Sequence, residues 1–417
     1  MNILVCGAQG FIGGTVCAWL ERRGHRVVKG VRHATQADER QIDFAADLDP
    51  STLHTQLHGI DAVVNAVGIL LERGEQTFDA VHTRGPIALF EACRLAGVKR
   101  VVQISALGVE AGETRYFTSK LAAERHLQSL PLDWQIVRPA LVYGSDGASA
   151  GFFRALASVP VHVLPAGGHQ LLRLVHADDL AEVIANLLDA DAPARQTLDI
   201  VGAEEVEYRD MLAIYREALG FAPAPRIGLP AALIGAAAAL LDRVPGSMLT
   251  CDTWRMLQAG STADVAATAK VLGRLPRSLR EFIAQDAAPL RLAALASWRA
   301  YALRFALAVT WIVSAVVSAW IHPLSQSLAL LERVHLHGVA ALATLYLASA
   351  LDLTFGMATI FWPGRRLWLA QIALIVAYST IIAVAIPELL GDPFGAVLKN
   401  LPILTILFIL ISDEPRP

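Results

Sequence analysis

Toward its C-terminal end the chain passes through four stretches almost free of charge, and these limit its possible folds more than any other feature. Residues 305–321 and 367–386 contain no charged group, 334–361 only Asp352, and 396–411 only Lys399. A helix needs about 20 apolar residues to cross roughly 30 Å of hydrocarbon. The second and third stretches reach that length, the first does so when started at Tyr301, and the fourth is shorter. The pattern predicts four spans, at about 301–321, 336–361, 367–387 and 396–412, with both chain ends on one side. Arg291, Arg299 and Arg304 precede the first span, Arg365 and Arg366 lie between the second and third, and Arg416 follows the fourth. The other side has Arg333 and Lys399. By the positive-inside rule both termini are expected in the cytoplasm, with the spans in the inner (cytoplasmic) membrane. Trp298, Trp311, Trp320, Trp362 and Trp368 fall mostly near span ends, as an aromatic belt does.

The overall composition, 54% hydrophobic and 18% charged, is therefore an average over two parts. Residues 301–417 hold 12 of the charged side chains, six of each sign, so the formal net charge of −3 belongs to the first part. No basic face points to nucleic acid. Cys6, Cys17, Cys93 and Cys251 are widely separated and read as reduced core thiols. The first residues, MNILVCG, lack the basic and long apolar regions of a signal peptide, which agrees with a cytoplasmic N-terminal part. The histidines, His162 and His169 among them, show no metal-ligand spacing, and no metal site is expected.

The first 145 residues alternate Val- and Ile-rich runs (NILVC, RVVKGV, DAVVNAV, KRVVQIS, DWQIVRPALVYG) with helical patterns at 11–23, 77–95 and 116–130. Such alternation predicts an α/β fold, a doubly wound parallel sheet covered by helices on both faces. Residues 146–295 are less regular and fit a small substrate lobe. Within them 229–241 is apolar and Ala-rich but too short to span a bilayer. It fits the wall of a pocket or core, or a helix lying on the membrane surface. The predicted organisation is one nucleotide-binding domain over 1–295 and an all-α, four-helix transmembrane module over 296–417.

Gly7-Ala8-Gln9-Gly10-Phe11-Ile12-Gly13 directly follows the first strand and opens a helix. In that context Gly7 allows a tight turn, Gly10 lets the backbone approach a pyrophosphate, and Gly13 lets the helix pack on the sheet. The helix N-terminus then offers free N–H groups to phosphate. The loop from Gly7 through Gln9, Gly10, Phe11 and Ile12 to Gly13 is thus a candidate dinucleotide site. The second strand ends at Arg32 where an NAD site would place Asp or Glu. A guanidinium there suits a 2′-phosphate, so NADP is expected, with NAD as the alternative. Asp43 follows the third strand and could meet the adenine amino group. Asn65, Ala66, Val67 and Gly68 end the fourth strand beside the cofactor, and Pro139 turns the chain near the nicotinamide.

GAQGFIG, NAVG, Ser105 in VVQISALG, YFTSK, RPALVYG and VHADDLA occur in the order found in extended and atypical short-chain dehydrogenases. The chain over about 1–290 resembles that family, and most of all the branch that includes the dehydrogenase-like accessory subunit of respiratory complex I. The resemblance implies that Ser105 polarises a carbonyl oxygen, Tyr116 transfers the proton, and Lys120 lowers the tyrosine pKa and holds the nicotinamide ribose. Tyr116 and Lys120 are four apart on a helix and share a face. The 11-residue interval from Ser105 to Tyr116 is slightly shorter than in the common dehydrogenases, and the motif also persists in members without turnover. His176 to Asp179 reads as a structural cap linking the two lobes rather than as a catalytic group.

HGVAALATLYLASALDLTFGMATIFWP, RRLWLAQIALIVAYSTIIA and PELLGDPFGAVLKNLPIL resemble the DoxX-like family of small four-span membrane proteins over about 300–412. Asp352 is an ionisable group inside a span, which is costly and marks either a functional site or a buried packing group. His335, His337, Glu388 and Asp392 are expected near the non-cytoplasmic face. Together the two resemblances imply a membrane-anchored NAD(P)H-dependent oxidoreductase acting on a lipophilic carbonyl, alcohol or quinone-like compound. The alternative is a catalytically weak nucleotide-binding scaffold or sensor joined to a redox membrane-protein partner.

Overall fold

The computed structural model describes residues 1–46, 49–189, 191–244, 246–283, 287–391 and 397–414. Asp392 and Arg416, named above, and the first residue of the 396–411 stretch lie outside the described residues. The chain folds as two compact units, Met1–Ala294 and Leu295–Pro417.

The first unit is built on a seven-stranded sheet. Its strands are β1 (Asn2–Cys6), β2 (Arg26–Val31), β3 (Glu39–Gln41), β4 (Ala62–Asn65), β5 (Arg100–Ile104), β6 (Asp133–Pro139) and β7 (Gln196–Ile200). They lie in the order β7-β6-β5-β4-β1-β2-β3, with every neighbouring pair parallel. The inner strands carry apolar residues on both faces because helices cover both sides of the sheet. Ile3 and Val5 point into one core layer with Val16, Leu20 and Leu180, while Leu4 and Cys6 point into the other with Leu89, Phe90 and Leu127. Each fully buried Val, Leu or Ile stabilises the fold by roughly 1.5–3 kcal/mol. Crossovers from β1 leave toward β2 and β3 on one side and toward β4 on the other. This places a topological switch point between β1 and β4, and the crevice at their carboxyl ends is where doubly wound sheets bind ligands.

The cysteines are free thiols, and burial pushes Cys6 up to about 12 and Cys17 up to about 11. The expected helix at 77–95 is two elements, a π-helical turn at Asp79–Arg84 followed by an α-helix at Gly85–Ala96. The apolar 229–241 stretch forms the helix Ala231–Leu241. Ile234 and Ala238 pack on Trp254 in a small cluster of their own, while Leu233 and Leu240 are exposed. The His176–Asp179 segment is a helix cap: His176 Nδ1 accepts from the Asp178 N–H at 3.2 Å. Fully buried Asp179 accepts from the side chain of Arg274 and from both the backbone and side chain of Arg277.

Three helices are long and apolar enough to cross a membrane: Ala287–Ile321, which begins in the first unit and continues into the second, and Gly338–Phe361 and Arg365–Ala385 within the second. The first starts at Ala287 rather than near 301 and ends in a π-helical turn, Val317–Ile321. A short helix, Leu324–Glu332, precedes the second. The last apolar helix, Asn400–Ser412, has 13 residues, or roughly 20 Å, less than the hydrocarbon thickness. Several polar groups of this unit pair with one another. Trp311 Nε1 donates to Gln371 Oε1 at 3.0 Å, and Gln371 Nε2 donates to Thr359 Oγ1 at 2.9 Å. Glu388 pairs with Arg333 at 2.7 Å, and His337 is the N-cap residue of the second long helix.

Candidate functional site

The loop from β1 into the helix Phe11–Arg22 occupies the switch point. Gly7 has φ +79°, a left-handed conformation that favours glycine, and a Cβ there would lie 3.1 Å from the Ala66 backbone. Gly7 N–H donates to Gly30 O at 3.0 Å, and Gly10 N–H donates to Gly7 O at 2.9 Å, which closes the turn. A Cβ on Gly13 would stand 2.1 Å from Gly7 O, so only glycine lets the helix start this close to the strand. The helix has no side-chain cap and no acidic residue in its first turn, so its free N–H groups and positive end stay available to an anion. Gln9 and Gly10 are exposed at the tip, and Phe11 and Ile12 are half-buried. These residues therefore fit a dinucleotide pyrophosphate.

Sheet order spreads the other candidates to either side of that loop. Arg32, directly after β2, is exposed and has no hydrogen-bond or ion-pair partner among the described residues. Asp43, after β3, is half-buried and accepts from the Ala45 N–H at 3.0 Å. On the opposite side, Asn65 is fully buried at the end of β4. Its amide donates to Gln103 Oε1 at 2.7 Å, and its carbonyl accepts from the Val67 N–H at 3.1 Å. Asn65 thus fixes the course of Ala66, Val67 and Gly68. Pro139 is buried at the end of β6, and its carbonyl accepts from the Leu107 N–H at 2.9 Å, behind the Ser105 loop.

The helix Arg115–Ser129, capped by Thr114, brings Tyr116 and Lys120 to the β4–β5 side. Lys120 is buried, and its Nζ donates to Ile104 O at 3.4 Å, next to Ser105. The same ammonium lies 5.6 Å from the centre of the Tyr116 ring, and a Cβ on Gly68 would meet it at 3.5 Å. Ser105 Oγ is buried without a partner among the described residues. Ser105, Lys120 and Gly68 are therefore brought together, with Tyr116 beside Lys120, while Arg32 and Asp43 stand across the sheet. Three strand spacings from β5 to β2 amount to roughly 14 Å, the reach of an extended dinucleotide. Burial lowers Lys120 to about 8 despite the opposing pull of Glu124. Burial also pushes the Tyr116 phenol well above its ordinary range.

One residue of this site was not singled out in the sequence. His82 sits in the π-helical turn, buried, and accepts at Nε2 from the Ile69 N–H at 3.0 Å. That contact assigns the ring proton to Nδ1, which donates to Ser119 Oγ at 3.2 Å. Ser119 Oγ in turn donates to Tyr116 O at 2.9 Å, and Thr83 Oγ1 donates to Ser119 O at 2.9 Å. The His82 ring also contacts the Tyr116 ring edge-on, with centres 5.2 Å apart. Burial and the neighbouring Lys120 ammonium lower His82 to about 2, so it is neutral. It lies 37 positions from Ser119, and no spacing rule links the two; a π-helical turn at a functional site is the structural signal. A second unpredicted feature is the buried pair in which Arg138 donates twice to fully buried Glu124 and once to Glu110 at 2.8 Å.

A family model described as NAD(P)H-binding matches residues 7–191, and the model of the DoxX-like family matches residues 308–408. Ceramide reductase of Caulobacter vibrioides is 28% identical over 186 residues, covering 43% of this chain and 58% of that protein. The NADH-ubiquinone oxidoreductase 40 kDa subunit of Neurospora crassa is 24% identical over 210 residues, covering 48% of this chain and 55% of that subunit. The chain thus spans little more than half the length of either relative. The crystal structure of UDP-glucuronic acid 4-epimerase from Bacillus cereus, in complex with UDP-glucuronic acid and NAD, shares the fold. It has a TM-score of 0.54 and 18% identity, covering 70% of this chain and 99% of that one. The protein combines an NAD(P)H-binding Rossmann domain, with reductases and complex I subunits among its relatives, and a DoxX-like membrane domain.

Proposed function

We propose that the protein is a membrane-anchored reductase that uses NADPH to convert a lipophilic carbonyl or quinone-like compound to its alcohol. The observation that carries this reading is the pairing of Tyr116 with Lys120 at the lip formed by Gly68. Burial keeps Tyr116 a phenol at neutral pH, the form that gives a proton rather than takes one. NADPH, when held along the Gly7–Gly13 loop with its 2′-phosphate on Arg32, supplies the hydride. Ser105 Oγ donates a hydrogen bond to the carbonyl oxygen. The Tyr116 hydroxyl passes its proton to that oxygen as the carbonyl carbon is reduced, and the Lys120 ammonium stabilises the phenolate left behind. Lys120 also donates to the nicotinamide ribose, and His82 fixes the backbone beneath Tyr116.

The covalently attached membrane domain supports a substrate dissolved in the lipid, because tethering raises its local concentration at the site. The arginines flanking the apolar helices support an inner-membrane protein with its nucleotide-binding domain and termini in the cytoplasm. The test is oxidation of NADPH and NADH by the full chain in lipid nanodiscs against a panel of lipid aldehydes, ketones and quinones. Turnover with at least one acceptor, faster with NADPH, is the expected result. NADPH binding without turnover on any acceptor would overturn it.

A second reading, a nucleotide-binding scaffold in a redox membrane assembly, draws on the likeness to the Neurospora crassa subunit. Cells carrying Tyr116→Phe separate the two: the reductase loses its function there, and the scaffold keeps it.

A further inference from the structure

The membrane unit contains a small polar cavity that the proposed reduction does not use. It has a volume of about 140 Å³ and is walled by Trp311, Ile375 and Tyr378, with Asp352, Ser314 and Asn400 contributing polar groups. Asp352 lies 14 residues after Gly338 and nine before Phe361, roughly 21 Å and 14 Å from the ends of its helix, well inside the hydrocarbon depth.

The polar groups of this cavity are unevenly satisfied. Ser314 Oγ donates to Asp352 Oδ2 at 3.1 Å, and Asn400 Nδ2 donates to Ser379 Oγ at 2.9 Å. Asp352 is only 8% exposed, yet its Oδ1 has no partner among the described residues. The Ser314 donor is thus spent on one carboxylate oxygen, and the other oxygen is left open among the described residues, in a medium that supplies no water. A buried packing carboxyl is expected to have its polar atoms hydrogen-bonded within the protein, and this oxygen departs from that rule. On one side the wall ends in Ser314, which is exposed on the outer surface of the helix bundle. An occupant would therefore enter sideways, from the lipid. A cavity of about 150 Å³ holds benzene, so this one has room for about one ring.

We propose that this cavity takes the hydroxylated head group of a membrane-dissolved alcohol or phenol, whose hydroxyl donates to Asp352 Oδ1 while its apolar tail stays in the lipid. The ring lies against Trp311 and Tyr378, and the Ser314 hydrogen bond holds the carboxylate in place. The site is independent of the proposed reduction and needs no turnover to be detected.

The test uses the full chain in phosphatidylcholine nanodiscs and a fluorinated 4-octylphenol read by fluorine NMR. The phenol is expected to bind saturably, one per chain, and its methyl ether, which cannot donate, at least tenfold more weakly. Asp352→Leu should weaken phenol binding by a similar factor, with the bound form of NADPH unchanged. The ether comparison uses the unaltered protein, so the proposal can be refuted even if the Leu variant misfolds. Equal binding of phenol and ether would make the cavity merely apolar, and absence of saturable binding would make Asp352 a packing group. Preference for octylamine would make it a cation site. Any of these three results overturns the proposal.

Discussion

The ammonium of Lys120 lies 5.6 Å from the centre of the Tyr116 ring, one helical turn along the same helix, with Gly68 closing over it. The cation is buried and faces the phenol across its ring. In the proposed reduction, a charge in that position is least favourable while the phenol is neutral and most favourable once the phenol has given up its proton.

Tyr116→Phe removes the transferable proton and leaves the ring contacts with Phe78, His82 and Phe117 in place. Turnover is expected to fall at least 100-fold, with NADPH affinity changed less than threefold, because general acid catalysis contributes typically 10²–10⁴. Steady-state kinetics and fluorescence titration of NADPH on the same preparation check it. A parallel loss of binding would place the tyrosine in the nucleotide site rather than at the proton-transfer step.

The pH profile follows from Lys120. With its pKa lowered to about 8 in the folded protein, it is charged below that value and neutral above it. kcat/KM is therefore expected to decline above pH about 8, as the ammonium that stabilises the Tyr116 phenolate is lost. Stability moves the other way. Between pH about 8 and the ordinary lysine value the unfolded chain binds the extra proton, so stability rises with pH across that window. Lys120→Met should remove both the alkaline limb of activity and this stability gain, as read by pH-dependent kinetics and urea unfolding.

Much of this arrangement was legible in the residues themselves. The Val- and Ile-rich runs point to the parallel sheet because strands buried on both faces do not alternate, and Gly7 and Gly13 point to the turn because the first takes a left-handed φ and a Cβ on the second would stand 2.1 Å from Gly7 O. His82 escaped notice because its role depends on a π-helical turn that a 3.6-residue period does not report. The Arg138–Glu124 pair was equally hidden, since it joins a strand to a helix 14 positions away and depends on tertiary packing. The first long helix extends N-terminal of the apolar stretch at 301–321, to Ala287, because a helix continues through charged residues such as Arg291 and Arg299 that an apolar window rejects.

Arg32 provides the cofactor test. Exposed at the end of β2, it can close on a phosphate without giving up a partner among the described residues. Arg32→Ala should weaken NADPH binding roughly 10- to 100-fold, the worth of hydrogen bonds to a charged group, and leave NADH within about twofold. Titration of both nucleotides by calorimetry decides it. Equal losses would put Arg32 outside the 2′-phosphate site.

His82 ties the loop after β4 to the helix bearing Tyr116, and it does so uncharged. Its folded pKa, lowered to about 2, lies far below that of an unfolded histidine near 6.5. Between these values the unfolded chain binds the proton and the folded protein does not, so this residue makes stability rise with pH up to about 6.5 and then level off. His82→Gln retains polar groups but does not titrate. It is expected to flatten the acid limb of stability between pH 5 and 6.5, while costing about 1–3 kcal/mol at pH 7.5 for a weakened buried contact. Because Ser119 Oγ reaches the backbone of Tyr116, the same variant should lower kcat more than it raises KM for NADPH. Urea unfolding from pH 5 to 8, with kinetics at pH 7.5, measures both. An unchanged acid limb would show that His82 is protonated in the folded protein.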